Sequence, residues 1–177
     1  ERAYSMPAMI RLAVPEDAQL LPAIETSAAQ AFRQIAELSW LADSPPMPIA
    51  RHHPLIALST CWVALDAENR PQGFLSAEQH GNDLHVHELS VMQSMQGQGT
   101  GRRLMEAAKD YARSGRLGSV TLTTFKNVPW NAPFYARMGF EAIAAHELDP
   151  RLAAILSEEY QHGFAPNSRC AMAWAVV

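Results

Sequence analysis

The 177-residue sequence predicts an α/β fold of the mixed α+β kind, and three observations carry that prediction. Short runs rich in apolar residues at 60–65, 73–79 and 84–92 are separated by turn-forming segments, as antiparallel hairpins require. Leu104, Met105, Ala107, Ala108 and Tyr111 then recur at helical spacing, with charged residues between them. A further strand-like run, Val120 to Phe125, follows that helix and completes a strand-helix-strand crossover.

The elements follow in order. Met9 to Val14 alternates as a strand, and Pro15-Glu16-Asp17 supplies a favourable first turn for a helix carrying Leu20, Leu21, Ile24 and Ala28. A second helical piece spans Phe32 to Leu41 and runs into Asp43-Ser44-Pro45-Pro46-Met47-Pro48, where three prolines forbid regular structure. The strands Thr60–Leu65 and Gly73–Gln79 flank a polar turn, Gly81-Asn82-Asp83 marks the next turn, and Leu84–Met92 is a third strand of this group. The amphipathic helix runs from Thr100 to Ser114. Beyond Phe125, Asn131 to Met138 reads as a helix ended by Gly139, and Phe140 to Ala145 as a strand. Asp149-Pro150 opens a helix to Gln161, and Arg169 to Val176 alternates as the last strand.

Composition narrows the function classes. A 48% hydrophobic chain of this length builds one substantial core, so residues 9–177 are expected to form a single domain behind an irregular extension over 1–8. Met6 or Met9 would serve as a natural start. The formal charge of -4 disfavours a nucleic-acid partner and tolerates a cationic small molecule. No apolar run approaches the roughly 18 residues of a membrane span, and the opening residues lack a signal-peptide core. The expectation is a soluble, cytoplasmic protein with no membrane partner. Cys61 and Cys170 lack disulfide or ligand spacing and are expected as buried free thiols, and His52-His53 reads as a solvated loop rather than a metal site.

The chemistry-bearing segment is Gln96-Gly97-Gln98-Gly99-Thr100-Gly101, which joins an apolar strand to the amphipathic helix. Alternate glycines let main-chain amides converge, and the helix start adds unpaired amides and the positive end of its dipole, so the loop suits a phosphate. A nucleotide-triphosphatase loop would end in Gly-Lys-Ser/Thr, whereas this one ends Gly101-Arg102-Arg103. A dinucleotide site would need Gly-x-Gly-x-x-Gly in a parallel β-α-β unit, which neither this spacing nor the early hairpins provide.

Gln96, Gly99 and Gly101 satisfy Gln/Arg-x-x-Gly-x-Gly/Ala, and Asn131-Ala132-Pro133-Phe134-Tyr135-Ala136-Arg137-Met138-Gly139-Phe140 stands about 30 residues later. The two blocks at this separation resemble the signature of the GNAT superfamily of N-acetyltransferases. The resemblance covers the order of elements from about 9 to 176 and implies a six- to seven-stranded, mixed but mostly antiparallel sheet flanked by helices. It also implies acetyl-CoA as donor, no metal, an amine acceptor, and the homodimers common in that family. Asn131 lies nearer to Tyr135 than the family's Asn usually does, and Pro133 is unusual in that helix.

By the same resemblance, main-chain groups of Leu89 and Val91 hold the pantetheine arm, while Gln96, Gly97, Gln98, Gly99, Thr100, Gly101 and Arg102 form the pyrophosphate loop. Asn131, Phe134 and Arg137 add coenzyme contacts, and Tyr135 matches the tyrosine that protonates the departing thiolate. Acetyl transfer to an amine also needs a base. Glu88 is the carboxylate closest before the loop, although strand alternation puts it with Ser90, opposite His85, His87, Leu89 and Val91, unless a bulge intervenes. The family uses several positions on this strand, one of which falls at His85. Glu88 ranks first here and His87 next, since an imidazole titrates near neutrality. Glu37, Trp40, Asp43 and Trp130 are candidates for acceptor recognition, because an aromatic wall beside a carboxylate suits a cationic amine. A non-catalytic coenzyme-binding sensor and a protein acetyltransferase are the competing readings.

Overall fold

The computed structural model describes residues 7–177; of the expected extension over 1–8, residues 1–6 lie outside the described residues. Among the described residues, seven strands hydrogen-bond in the order β1-β2-β3-β4-β5-β7-β6, mostly antiparallel, with helices flanking the sheet. The strands are β1 (Met9–Leu12), β2 (Cys61–Leu65), β3 (Pro71–His80), β4 (Asp83–Val91), β5 (Ser119–Phe125), β6 (Glu141–Ala142) and β7 (Arg169–Ala175). The α-helices are α1 (Leu21–Ala29), α2 (Ile49–Ala57), α3 (Thr100–Ser114), α4 (Ala132–Ala136) and α5 (Pro150–Gln161). None among the described residues is long and apolar enough to cross a membrane.

The chain forms two compact units. The first takes residues up to Gln79 together with Val86–Tyr111. Within it β1 and β2 pair antiparallel, Met9 opposite Leu65 and Leu12 opposite Trp62, and β2 pairs antiparallel with β3 through an irregularity at Ala64/Leu65. The core gathers Leu21 and Ile24 of α1, Ile56 of α2 and the strand residues Cys61, Val63 and Phe74, with Met92 packed against it. Asp17 fixes the entry to the helices. Its carboxylate accepts the Val14 amide at 2.8 Å and an Arg11 guanidinium nitrogen at 2.7 Å, so a first-turn acid caps the segment that Pro15 begins.

The second unit takes His80–His85 and Ala112–Val177. The start of β4 runs parallel to β5, Asp83 opposite Ser119 and His85 opposite Thr121, while β5 and β7 pair antiparallel over seven positions. Leu152 and Leu156 of α5 pack with Ala171, joined by Ile143, Leu148, Ile155 and Tyr160. Asp149 caps α5 by accepting the Leu152 amide at 2.8 Å, as the Asp-Pro pair predicts.

Two expectations are corrected here. The region after Pro48 is no solvated loop but helix α2, on which His52, Leu55 and Ile56 are buried. The expected helix from Pro15 through Ala28 opens as a 3₁₀ segment, Pro15–Leu20, before it becomes α1, and the expected helix over 32–41 is instead two 3₁₀ segments, Gln30–Gln34 and Ala36–Asp43.

Candidate active site

The glycine loop is built from the end of β4 outward. After Val91 a single 3₁₀ turn, Gln93–Met95, is closed by the Met95 amide on the Met92 carbonyl at 2.9 Å. Gly97 and Gly99 then adopt φ of +76° and +79°, the left-handed region that a side chain disfavours. Gly101 is already helical. The Arg103 amide reaches back to the Gly99 carbonyl at 3.0 Å, so the amides of Gln98 to Arg102 lie ahead of the ladder of α3 at its positive dipole end. Thr100 is buried and anchors the helix start, whereas Gly97, Gln98, Gly99 and Arg102 are exposed.

Gln96 has a role its motif position did not reveal. Its side-chain amide donates to the Val91 carbonyl at 3.0 Å, tying the loop back onto the strand it leaves. The Val91 carbonyl therefore already carries a partner.

On β4 the period-two alternation holds at the base candidates. Ser90 Oγ donates to Glu88 Oε1 at 2.9 Å, which two side chains can do only from one face of the strand. Both His87 and Glu88 are half-buried, and His87 Nε2 lies 3.5 Å from Glu78 Oε1. His85 is buried, with Nδ1 at 2.8 Å from Thr121 Oγ1. The Arg151 guanidinium donates to that same hydroxyl at 3.3 Å, which makes His85 part of a packed polar network in the second unit.

In the second unit, the Tyr135 block forms a tight turn of helix. Asn131 precedes α4, and Pro133 occupies its first turn, where a missing amide costs nothing. Tyr135 is 9% exposed, its ring set edge-to-face against Phe134 at 5.3 Å and Phe140 at 5.8 Å. Gly139 makes the return possible with φ of +90°, and the Phe140 amide closes onto the Tyr135 carbonyl at 3.1 Å. The Asn131 side chain donates to the Trp130 carbonyl at 3.1 Å, and Arg137 is exposed.

The acceptor candidates fare differently from one another. Asp43 is exposed and paired with Arg33 at 2.7 Å, Glu37 is exposed, Trp40 is 44% exposed and Trp130 is half-buried. Sequence reasoning passed over Glu25 of α1, whose two carboxylate oxygens both accept the Met47 amide, at 3.1 and 3.2 Å. A signal for it existed: Met47 carries the one backbone donor in Pro45-Pro46-Met47-Pro48, and that donor needed an acceptor.

Residues 57–142 match the family model described as the acetyltransferase (GNAT) domain. Among solved structures, the chain is similar to the PaiA N-acetyltransferase of Thermoplasma acidophilum in complex with coenzyme A, with 15% identity, a TM-score of 0.68, and coverage of 96% of this chain and 99% of that one. It is similar as well to the N-acetylglutamate synthase of Neisseria gonorrhoeae complexed with coenzyme A and N-acetyl-glutamate, with 15% identity and a TM-score of 0.68 over 99% of this chain but 36% of that one. The ribosomal-protein-S18-alanine N-acetyltransferase of Escherichia coli matches with 13% identity and a TM-score of 0.64, over 96% of this chain and 94% of that one. The second was solved with N-acetyl-glutamate and the third is named for an alanine of a ribosomal protein, so this fold is shared by proteins named for acceptors of different classes.

Proposed function

We propose that this chain, which belongs to the GNAT superfamily by its family-model match and its fold, transfers an acetyl group from acetyl-CoA to a primary amine of a small molecule, by direct attack within a ternary complex. The observation that carries the reading is the loop ahead of α3. Two left-handed glycines and a tethering Gln96 present successive amides at a helix N-terminus, an arrangement suited to the pyrophosphate of coenzyme A.

The pyrophosphate binds the amides of Gln98 to Arg102, and the pantetheine arm runs along β4, contacting main-chain groups of Leu89 and the Val91 amide. Asn131, Phe134 and Arg137 complete the coenzyme contacts. An ammonium cannot attack a thioester, so a base must first remove its proton. Glu88 takes that role, oriented by the Ser90 hydroxyl on its own strand, and His87 is the alternative. The neutral nitrogen then forms its bond to the carbonyl carbon as the carbon–sulfur bond breaks. Tyr135 gives a proton to the departing thiolate and is reprotonated through solvent by the proton that the acetylated nitrogen sheds, while the proton held by the base passes to bulk water, leaving N-acetylated amine and the free coenzyme. Singly protonated phenols are the stable form at neutral pH, which suits a general acid.

The test is to incubate the protein with acetyl-CoA and a panel of small amines and peptides while detecting free thiol. Thiol release that depends on small amines is expected, with Tyr135→Phe lowering turnover about 100-fold while coenzyme affinity stays within about twofold. Release confined to peptides would replace the small-molecule acceptor by a protein. Tight coenzyme binding with no amine-dependent release would make the protein a sensor.

A further inference from the structure

The carboxylate of Glu25 is more charge than its visible role needs. It sits half-buried on α1 and receives one amide, from Met47, shared between both oxygens. A neutral acceptor would hold that amide equally well. Among the described residues no lysine, arginine or histidine stands within ion-pair distance of it, in contrast to Asp17, Asp43 and Glu159, each met by an arginine. A desolvated carboxylate without a counter-ion is unfavourable, and a cation supplied by a ligand would offset that cost. Burial raises the Glu25 pKa against the opposing pull of the Met47 amide, the sign expected where the counter-ion is missing.

The place of α1 gives this charge a ligand. Ser27, two residues on, accepts the Gln93 amide at 3.2 Å, and Met92 packs on the core that Ile24 belongs to. Helix α1 is thereby fastened to the segment leading into the glycine loop. Just past its C-terminal end Gln30 donates to the Ala42 carbonyl at 3.0 Å, so the Ala36–Asp43 segment bearing the half-exposed Trp40 is tied to the end of the same helix. The prolines at 45, 46 and 48 keep the connecting strip poor in donors, which leaves its one Met47 amide on Glu25.

We propose that Glu25 is an acceptor-specificity residue that binds a cationic group of the amine substrate other than the nitrogen being acetylated. The proposal rests on the acetyltransferase reading and narrows its substrate to small primary amines carrying a second positive charge. The distinction between the two nitrogens follows from chemistry. A fixed carboxylate favours the protonated form of whatever nitrogen it touches, while the attacking nitrogen must be neutral. Glu25 therefore serves the end of the substrate that does not react.

The decisive measurement is calorimetric titration of the coenzyme A-loaded protein with 1,5-diaminopentane and with pentylamine, for the wild type and for Glu25→Gln. Gln retains an oxygen for the Met47 amide and removes the charge. The diamine should bind the wild type at least tenfold more tightly than the monoamine, and Glu25→Gln should bring the two within about threefold of each other, with its melting temperature unchanged. Equal affinities in the wild type, binding of neither amine, or a diamine preference that survives in Glu25→Gln would each overturn the proposal. Thiol release with acetyl-CoA is read in parallel. A diamine preference lost in the variant, without thiol release from either protein, would sink the enzymatic reading and leave the role of Glu25 standing.

Discussion

His52 illustrates how a single residue type misleads when read from sequence. A histidine pair without other ligand spacing reads as solvated, yet His52 is fully buried, with Nδ1 at 3.0 Å from Ser76 Oγ and its ring edge-to-face against Phe74. Ser76 Oγ in turn lies 3.3 Å from Cys61 Sγ, so one hydroxyl links a thiol and an imidazole inside the first unit. Desolvation, with smaller contributions from Arg51 and His53, lowers the His52 pKa from 6.5 to about 4. The sign of the consequence is fixed. Between those two values the unfolded chain binds the extra proton and the folded one does not, so the contribution of neutral His52 is complete above pH 6.5 and is lost as the pH falls towards 4. Burial raises the Asp17 pKa, but its bonds to Arg11 and the Val14 amide outweigh that and lower it, which places its loss at more acid pH, below the ordinary 3.8. Melting temperatures measured from pH 7.5 to 4.5 should therefore fall in the wild type and fall markedly less in His52→Gln. Parallel profiles would show that another group carries the acid sensitivity.

At the scale of elements, what was legible depended on whether local pattern and packing agreed. Helix α3 spans Thr100–Ser114 as its spacing predicts, because a glycine-rich start and a continuous amphipathic stripe leave one consistent assignment. Helix α2 was missed because its buried stripe of His52, Leu55 and Ile56 shows helical periodicity only when the histidine counts as core, and because Pro54 sits inside it. The 3₁₀ segments were read as helices since periodicity near three and a half residues cannot separate the two. The signature loop was readable, although the part of Gln96 in bracing Val91 needed the coordinates. A prediction belongs to this element. A Cβ at Gly99 would meet nothing within 4 Å, so Gly99→Ala should fold, and its penalty lies in the backbone conformation alone. Holding a left-handed alanine costs about 1–2 kcal/mol, roughly tenfold in equilibrium. Relaxation of the loop would turn the amides away from the pyrophosphate, so coenzyme A affinity, read by calorimetry, should drop about tenfold with little change in kcat at saturating acetyl-CoA. Undiminished affinity would separate the loop geometry from coenzyme binding.

For the molecule as a whole, the order of the strands, the helices from α3 onward and the two signature blocks were legible, whereas the acceptor side was not. Glu37, Asp43 and Trp40 were chosen for residue type, and only packing revealed that Asp43 is paired with Arg33 while Glu25 is met by the Met47 amide. The placement of the two cysteines bears on the kinetic mechanism. A ping-pong route needs a side chain to accept the acetyl group before the amine arrives, and thiols are the natural choice for a thioester. Both cysteines are buried: desolvation pushes Cys61 up to about 11 and raises Cys170 as well, so neither offers thiolate at neutral pH. The absence of an available thiolate at these two positions supports the proposed route, in which the acetyl group passes directly from coenzyme to amine with both bound. Initial velocities measured over a grid of acetyl-CoA and amine concentrations should give intersecting double-reciprocal lines, and Cys170→Ala should leave them unchanged. Incubation with acetyl-CoA alone should leave the intact mass of the protein unaltered. Parallel lines together with a single added acetyl group would establish a covalent intermediate and remove the ternary complex.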